Sequence, residues 1–125
     1  MAKTYPNKQC PSPSQELHRE LLDCLVRAGE LILEWKIVQH TTVNDPRLPR
    51  AQRLTIMLVA SRAQSKCVAI ADTVLAGMVA LVRSDYPRVT KLLQSCRGHM
   101  AFLEAADDTV AGIVRKSITH SGHGH

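Results

Sequence analysis

The chain has almost no aromatic residues. Trp35, Phe102, Tyr5 and Tyr86 are all there are, 3% of the 125 residues. Strand-rich domains lean on aromatic and β-branched side chains, so this shortage argues against a sandwich or barrel. The core must be aliphatic, made of Leu, Val, Ile, Ala and Met. No two of the four cysteines (Cys10, Cys24, Cys67, Cys96) form a CxxC pair. Three of them fall on helical apolar faces, where a free thiol acts as a small hydrophobe. Neither GxGxxG nor GxxxxGK[ST] occurs, so no phosphate-cradling loop is expected. No Glu-x-x-His pair occurs, which removes the ligand pattern of di-iron bundles. The opening stretch MAKTYPNKQCPSPS is polar and Pro-rich, without the apolar run of a signal peptide. No uncharged apolar stretch reaches the ~20 residues of a membrane span. A cytoplasmic setting follows as the default, and disulfides are then not expected.

What is present reads as helix. The hydrophobic share of 45% and charged share of 22% are ordinary for a globular chain. Residues 1–12 read as a flexible arm. A helix over about 13–40 is expected to begin with Ser12 as N-cap, Pro13 as first helical residue and Gln15 completing a capping box. Leu17, Leu21, Leu25, Ala28, Leu31 or Ile32, Trp35 and Val38 follow at spacings of three and four. The segment Thr41–Pro49 is the clearest break, with Pro49 a candidate first residue of the next helix.

A second helix is expected over about Arg50–Val82. Its main stripe is Met57, Ala60, Ala63, Cys67, Ile70, Val74, Met78 and Leu81, widened by Ile56, Ala71, Leu75 and Val82. Arg62, Lys66, Ala69, Thr73, Ala76 and Ala80 make a second face, narrow enough for close contact with another helix or subunit. A bend near Ser61–Ser65 would split this element in two. Ser84–Pro87 reads as a turn and helix start. Val89, Leu92, Leu93, Cys96, Met100, Leu103, Ala106, Val110, Ile113 and Val114 carry a third helix to about Ile118. Residues 119–125, Gly- and His-rich, read as a disordered tail. The expected fold is thus all-α, an antiparallel bundle of three to four long helices, with broad apolar faces that favour a homo-oligomer.

Charge is segregated along the chain. Net charge is +5. Between Arg47 and Arg97 stand nine basic residues against only Asp72 and Asp85. Between Glu16 and Glu34 stand five acids against two arginines. A basic section of this kind favours polyanions. The candidate nucleic-acid contacts are Arg47, Arg50, Arg53, Arg62, Lys66, Arg88, Lys91 and Arg97, since clustered exposed cations bind phosphates. The competing reading pairs the acidic first helix with a neighbour's basic section. His120, His123 and His125 lack the scaffold a metal site requires, and His18, His40 and His99 lie far apart. No metal or other cofactor is expected, and no catalytic constellation is visible. A Cys/His metal-handling bundle and a protein scaffold without nucleic-acid binding remain alternatives.

The segment Leu48-Pro49-Arg50-Ala51-Gln52-Arg53-Leu54 resembles the signature of the accessory variability determinants of diversity-generating retroelements and their relatives among ribosomal-RNA intervening-sequence proteins. The family pattern is an amphipathic helix, then Leu or an aromatic before Pro-Arg/Lys, two variable residues, a basic residue and a second helix. The chain departs from it where Thr55-Ile56-Met57-Leu58 replaces an early glycine, and it has no late Gly-Trp. The resemblance implies a ring-shaped homo-oligomer that binds a reverse transcriptase and its RNA or DNA and supports mutagenic copying, with Arg50 and Arg53 as the motif positions.

Overall fold

The computed structural model describes residues 12–123, with side chains to Ile118. It contains three helices, α1 (Pro13–Val43), α2 (Arg50–Val82) and α3 (Tyr86–His123), and no strand among the described residues. The expected arm at 1–12 lies outside the described residues apart from Ser12. α2 runs unbroken through Ser61–Ser65, so the bundle has three helices there and not a split pair.

Local chemistry sets each boundary. The Ser12 hydroxyl accepts from the Gln15 N–H at 3.2 Å, and the Gln15 side chain accepts from the Ser12 N–H at 3.1 Å. This is the expected capping box, with Pro13 at the first helical position. α1 continues three residues beyond its expected end. Thr42 is buried one heptad after Trp35, and the Thr41 hydroxyl donates to the Ile37 and Val38 carbonyls. Asn44 then caps the helix, its Nδ2 donating to the His40 carbonyl at 2.9 Å.

Pro49 is the N-cap of α2 and not its first helical residue. Its φ of −60° suits either place, but ψ of 155° keeps it extended while Leu48 reaches into the core. The α2–α3 turn is a Schellman arrangement. The Ser84 N–H donates to Leu81 and the Asp85 N–H to Ala80, with Ser84 at φ 58°. Asp85 also opens α3, accepting at its carboxylate from the Arg88 N–H. α3 remains helical to His123, through most of the segment expected to be a tail. No proline interrupts it after Pro87, and Ser117 is still packed.

Packing follows a heptad rhythm. α1 buries Leu21, Ala28, Trp35 and Thr42, one every seven residues. α2 buries Ile56, Ala60, Ala63, Cys67, Ile70, Val74, Gly77 and Ala80, alternating steps of four and three until the last. This 3.5-residue period is that of helices winding gently left-handed about one another. α2 is the middle element, packed along both partners, whereas α1 and α3 barely meet. Gln39, late in α1, joins Gln64, midway along α2, by a 2.7 Å hydrogen bond. Leu21, early in α1, lies over Gly77, late in α2, so the pair is antiparallel. The α2 face of Lys66, Ala69, Thr73, Ala76 and Ala80 is half-buried to buried, and Lys66 lies against Phe102 of α3. The small second face therefore meets a helix of the same chain.

Two residues assigned to the α2 core stripe are not in it: Leu75 is 59% exposed and Val82 85%. They belong to another seam, Leu54, Leu58, Ser61, Ser65, Val68, Asp72, Leu75, Val79 and Val82, spaced four and three throughout and exposed at every position. Leu22, Val26, Leu33 and Ile37 line a corresponding exposed edge of α1. By length and composition α2 also meets the requirements of a membrane-crossing helix, with a mean hydropathy of 1.7 over 18 residues, only 28% of them buried.

Candidate nucleic-acid interface

The eight sequence-selected cations do not converge on one point. Arg47 sits in the α1–α2 connection, Arg50 and Arg53 in the first turn of α2, Arg62 and Lys66 near its middle, and Arg88, Lys91 and Arg97 in the first third of α3. At 1.5 Å per residue, Arg50 and Val82 are roughly 50 Å apart along α2. Arg50 and Arg88 therefore lie toward opposite ends of the bundle.

Two of the eight are engaged by carboxylates of the same fold. Arg47 grips Asp45 through Nε and Nη2, each at 3.0 Å, while the Arg47 N–H donates to the same carboxylate at 2.9 Å. Those hydrogen bonds hold the Asp45 carboxyl below its ordinary range and raise Arg47. Arg47 thus organises the loop. Arg97 reaches Glu20 of α1 at 3.7 Å. The other six, Arg50, Arg53, Arg62, Lys66, Arg88 and Lys91, make no ion pair among the described residues.

The acids of α1 are partly neutralised in place. Arg19 pairs with Glu16, and Arg27 with both Glu30 and Glu34. These pairs leave the net negative charge of α1 unchanged but tie up both of its arginines, so the selected cations without an ion pair among the described residues stand on α2 and the start of α3. The dipole of α2 adds partial positive charge at Arg50–Arg53. Beside them the Gln52 side-chain oxygen is buried without a hydrogen-bond partner, an arrangement costing about 1–3 kcal/mol unless a donor reaches it. The antiparallel register fixed by Lys66 and Phe102 brings Arg115 and Lys116 level with this turn. Sequence reasoning left out Arg115 and Lys116, because only the pairing of α2 with α3 places them there.

One aromatic was also missed as a surface feature. Phe102 was not assigned to any apolar stripe, and the structure leaves it 42% exposed with the Lys66 ammonium 5.0 Å from its ring centroid. An open groove of about 200 Å³ runs beside it, lined by Val59, Arg62, Ala105, Ala106 and Thr109. It stands one residue before Leu103, off the core face of α3.

No group of three or more His, Cys, Asp or Glu side chains among the described residues is arranged to hold a metal. The side chains of His120, His123 and His125 lie outside the described residues. Burial raises the Cys24, Cys67 and Cys96 thiols, Cys96 to about 11. A nucleophilic cysteine needs the opposite shift. A groove of about 150 Å³ between α1 and α3 is floored by Trp35 and rimmed by Arg27, Glu34, Glu104 and Asp107. Asp107 lines it and Asp108 does not, as expected of adjacent helical residues.

No protein-family model, curated protein or solved structure matches the chain.

Proposed function

We propose that this protein is a non-enzymatic, basic helical-bundle accessory module that binds RNA or DNA electrostatically and acts as a homo-oligomer alongside a protein partner. The observation that carries the reading is the fate of the charges. Six of eight selected cations are unpaired among the described residues, while the arginines within α1 are committed to its own acids. A cation spent on a carboxylate of its own fold has little left for phosphate; these six are not so spent. The cations are strung along α2 and α3, which suits contact with backbone phosphates and affinity without base reading. The short motif around Arg50 and Arg53 points to a reverse transcriptase of a diversity-generating retroelement as the protein partner.

The exposed α2 seam supports the oligomer. Isolated exposed aliphatics are ordinary, but six of the nine seam positions are aliphatic, with Leu54 and Leu58 at one end and Leu75, Val79 and Val82 at the other. Repetition at four and three residues is the pattern that a second helix covers. Asp72 in the middle of the seam argues for a protein neighbour over a lipid one, since a carboxylate near a bilayer centre costs about 2.5–3.5 kcal/mol.

Fluorescence anisotropy with labelled RNA and DNA tests the reading. Affinity should fall steeply as salt rises. Reversing Arg50, Arg53, Arg62 and Lys66 to Glu should abolish it while helicity is retained. No binding by the native protein at low salt would refute the nucleic-acid reading and favour a scaffold without it. Light scattering tests the assembly: Leu58→Asp with Leu75→Asp should yield monomers, and an unchanged mass would refute the seam as the interface.

A further inference from the structure

We propose that Phe102, with Arg62 and Lys66, is a stacking platform for an unpaired base, so that the preferred ligand is single-stranded nucleic acid. The proposal rests on the electrostatic reading above and adds the strand state of the ligand.

Aromatic side chains are scarce here, and Trp35 is committed to the core at 3% exposure. Phe102 instead is 42% exposed near mid-bundle, away from both ends. Lys66 lies over one side of the ring in a cation–π contact and takes up that face, so a base would approach Phe102 from the groove, which Lys66 does not line. Arg62 stands one helical turn before Lys66 and lines the adjoining groove, so two cations one turn apart flank one aromatic. The alanines at 105 and 106 leave the groove open beside the ring. Thr109 lines its far side, its hydroxyl donating to the Ala105 carbonyl and keeping lone pairs to accept.

This combination of a π-face with positive charge for the adjoining phosphates is how sequence-tolerant single-strand binding works. A duplex keeps its bases stacked on one another and offers none to Phe102. The cations would still attract the duplex, so the difference between strand states must reside in the ring.

Anisotropy of the full chain with a labelled single strand of about 12 nucleotides and with the blunt duplex of the same sequence reads this directly. Phe102→Ala should weaken single-strand binding by about 5- to 150-fold. Duplex binding should change less than about twofold, with the same salt slope. Arg62→Glu with Lys66→Glu should weaken both ligands and flatten the salt slope. Circular dichroism of each variant guards against unfolding. Irradiation of a strand carrying iodouridine should crosslink to the peptide containing Phe102, a readout independent of affinity.

Native protein that binds the single strand, with Phe102→Ala binding equally well, would overturn the platform and leave the electrostatic reading standing. Equal losses on single strand and duplex would overturn it as well. Native protein that binds neither ligand at low salt would overturn both.

Discussion

Gly77 packs directly under Leu21 of α1, and alanine there should behave unlike alanine at three other helical glycines. A Cβ added at Gly77 would lie 2.7 Å from Leu21 Cδ2 and 3.4 Å from Cδ1. Carbon atoms pack best at about 3.5–4.0 Å, and Leu21 is fully buried, so its Cδ atoms would have to shift within the core. Overpacking of this kind costs about 1–3 kcal/mol. Replacing glycine with alanine inside a helix returns about 0.8–1.0 kcal/mol. Gly77→Ala should therefore destabilise by about 1 kcal/mol net. At Gly29, Gly98 and Gly112 an added Cβ meets nothing within 4 Å. Alanine there should stabilise by about 0.5–1 kcal/mol each. In a chain of this size 1 kcal/mol moves Tm by about 4 °C, so thermal unfolding should put Gly77→Ala below the native protein and the other three above it. Leu21→Ala costs about 2–5 kcal/mol by itself, but it vacates the space. In that background Gly77→Ala should become stabilising. If Gly77→Ala raises Tm as the others do, the Leu21–Gly77 contact and the register built on it are wrong.

Ser12→Ala should cost about 0.5–1 kcal/mol by removing one arm of the capping box, with faster amide exchange confined to the first turn of α1. Because Arg47 lowers the Asp45 carboxyl, its contribution is present above the ordinary carboxylate pKa and is lost as pH falls through the lowered value. An NMR titration should place Asp45 below the usual range, and Arg47→Ala should return it. The Cys96 thiol, raised to about 11 by burial, favours the native state below the unfolded thiol pKa near 9.0 and loses that contribution as pH climbs toward 11. Cys96→Ala should flatten the decline of Tm between those values, and an unchanged decline would show that this thiol does not govern it.

What was legible in the sequence was local or periodic. Ser12 and Gln15 announced their capping box because both partners lie within one turn. The apolar spacing located all three helices because one buried flank repeats each turn. Pro49 was off by one position because its ring fixes φ and leaves ψ to the surroundings, here to Leu48 seeking the core. Leu75 and Val82 were drawn into the wrong stripe because composition alone does not separate a seam facing a neighbouring helix from one facing outward. Arg97 looked as free as Lys91 because its partner Glu20 lies on a different helix. Phe102 drew no notice because a lone phenylalanine carries no spacing signal, and its significance came only when α2 laid Lys66 and Arg62 beside it.

The central position of α2 has a consequence for how the molecule assembles itself. Its two interfaces join elements that are already neighbours in the chain, closed by connections of six and three residues between the helix ends. Little loop entropy is lost in bringing them together, and a topology so rich in short-range encounters belongs with domains that fold in microseconds to milliseconds. Each half is thus a helical hairpin that shares one rod with the other.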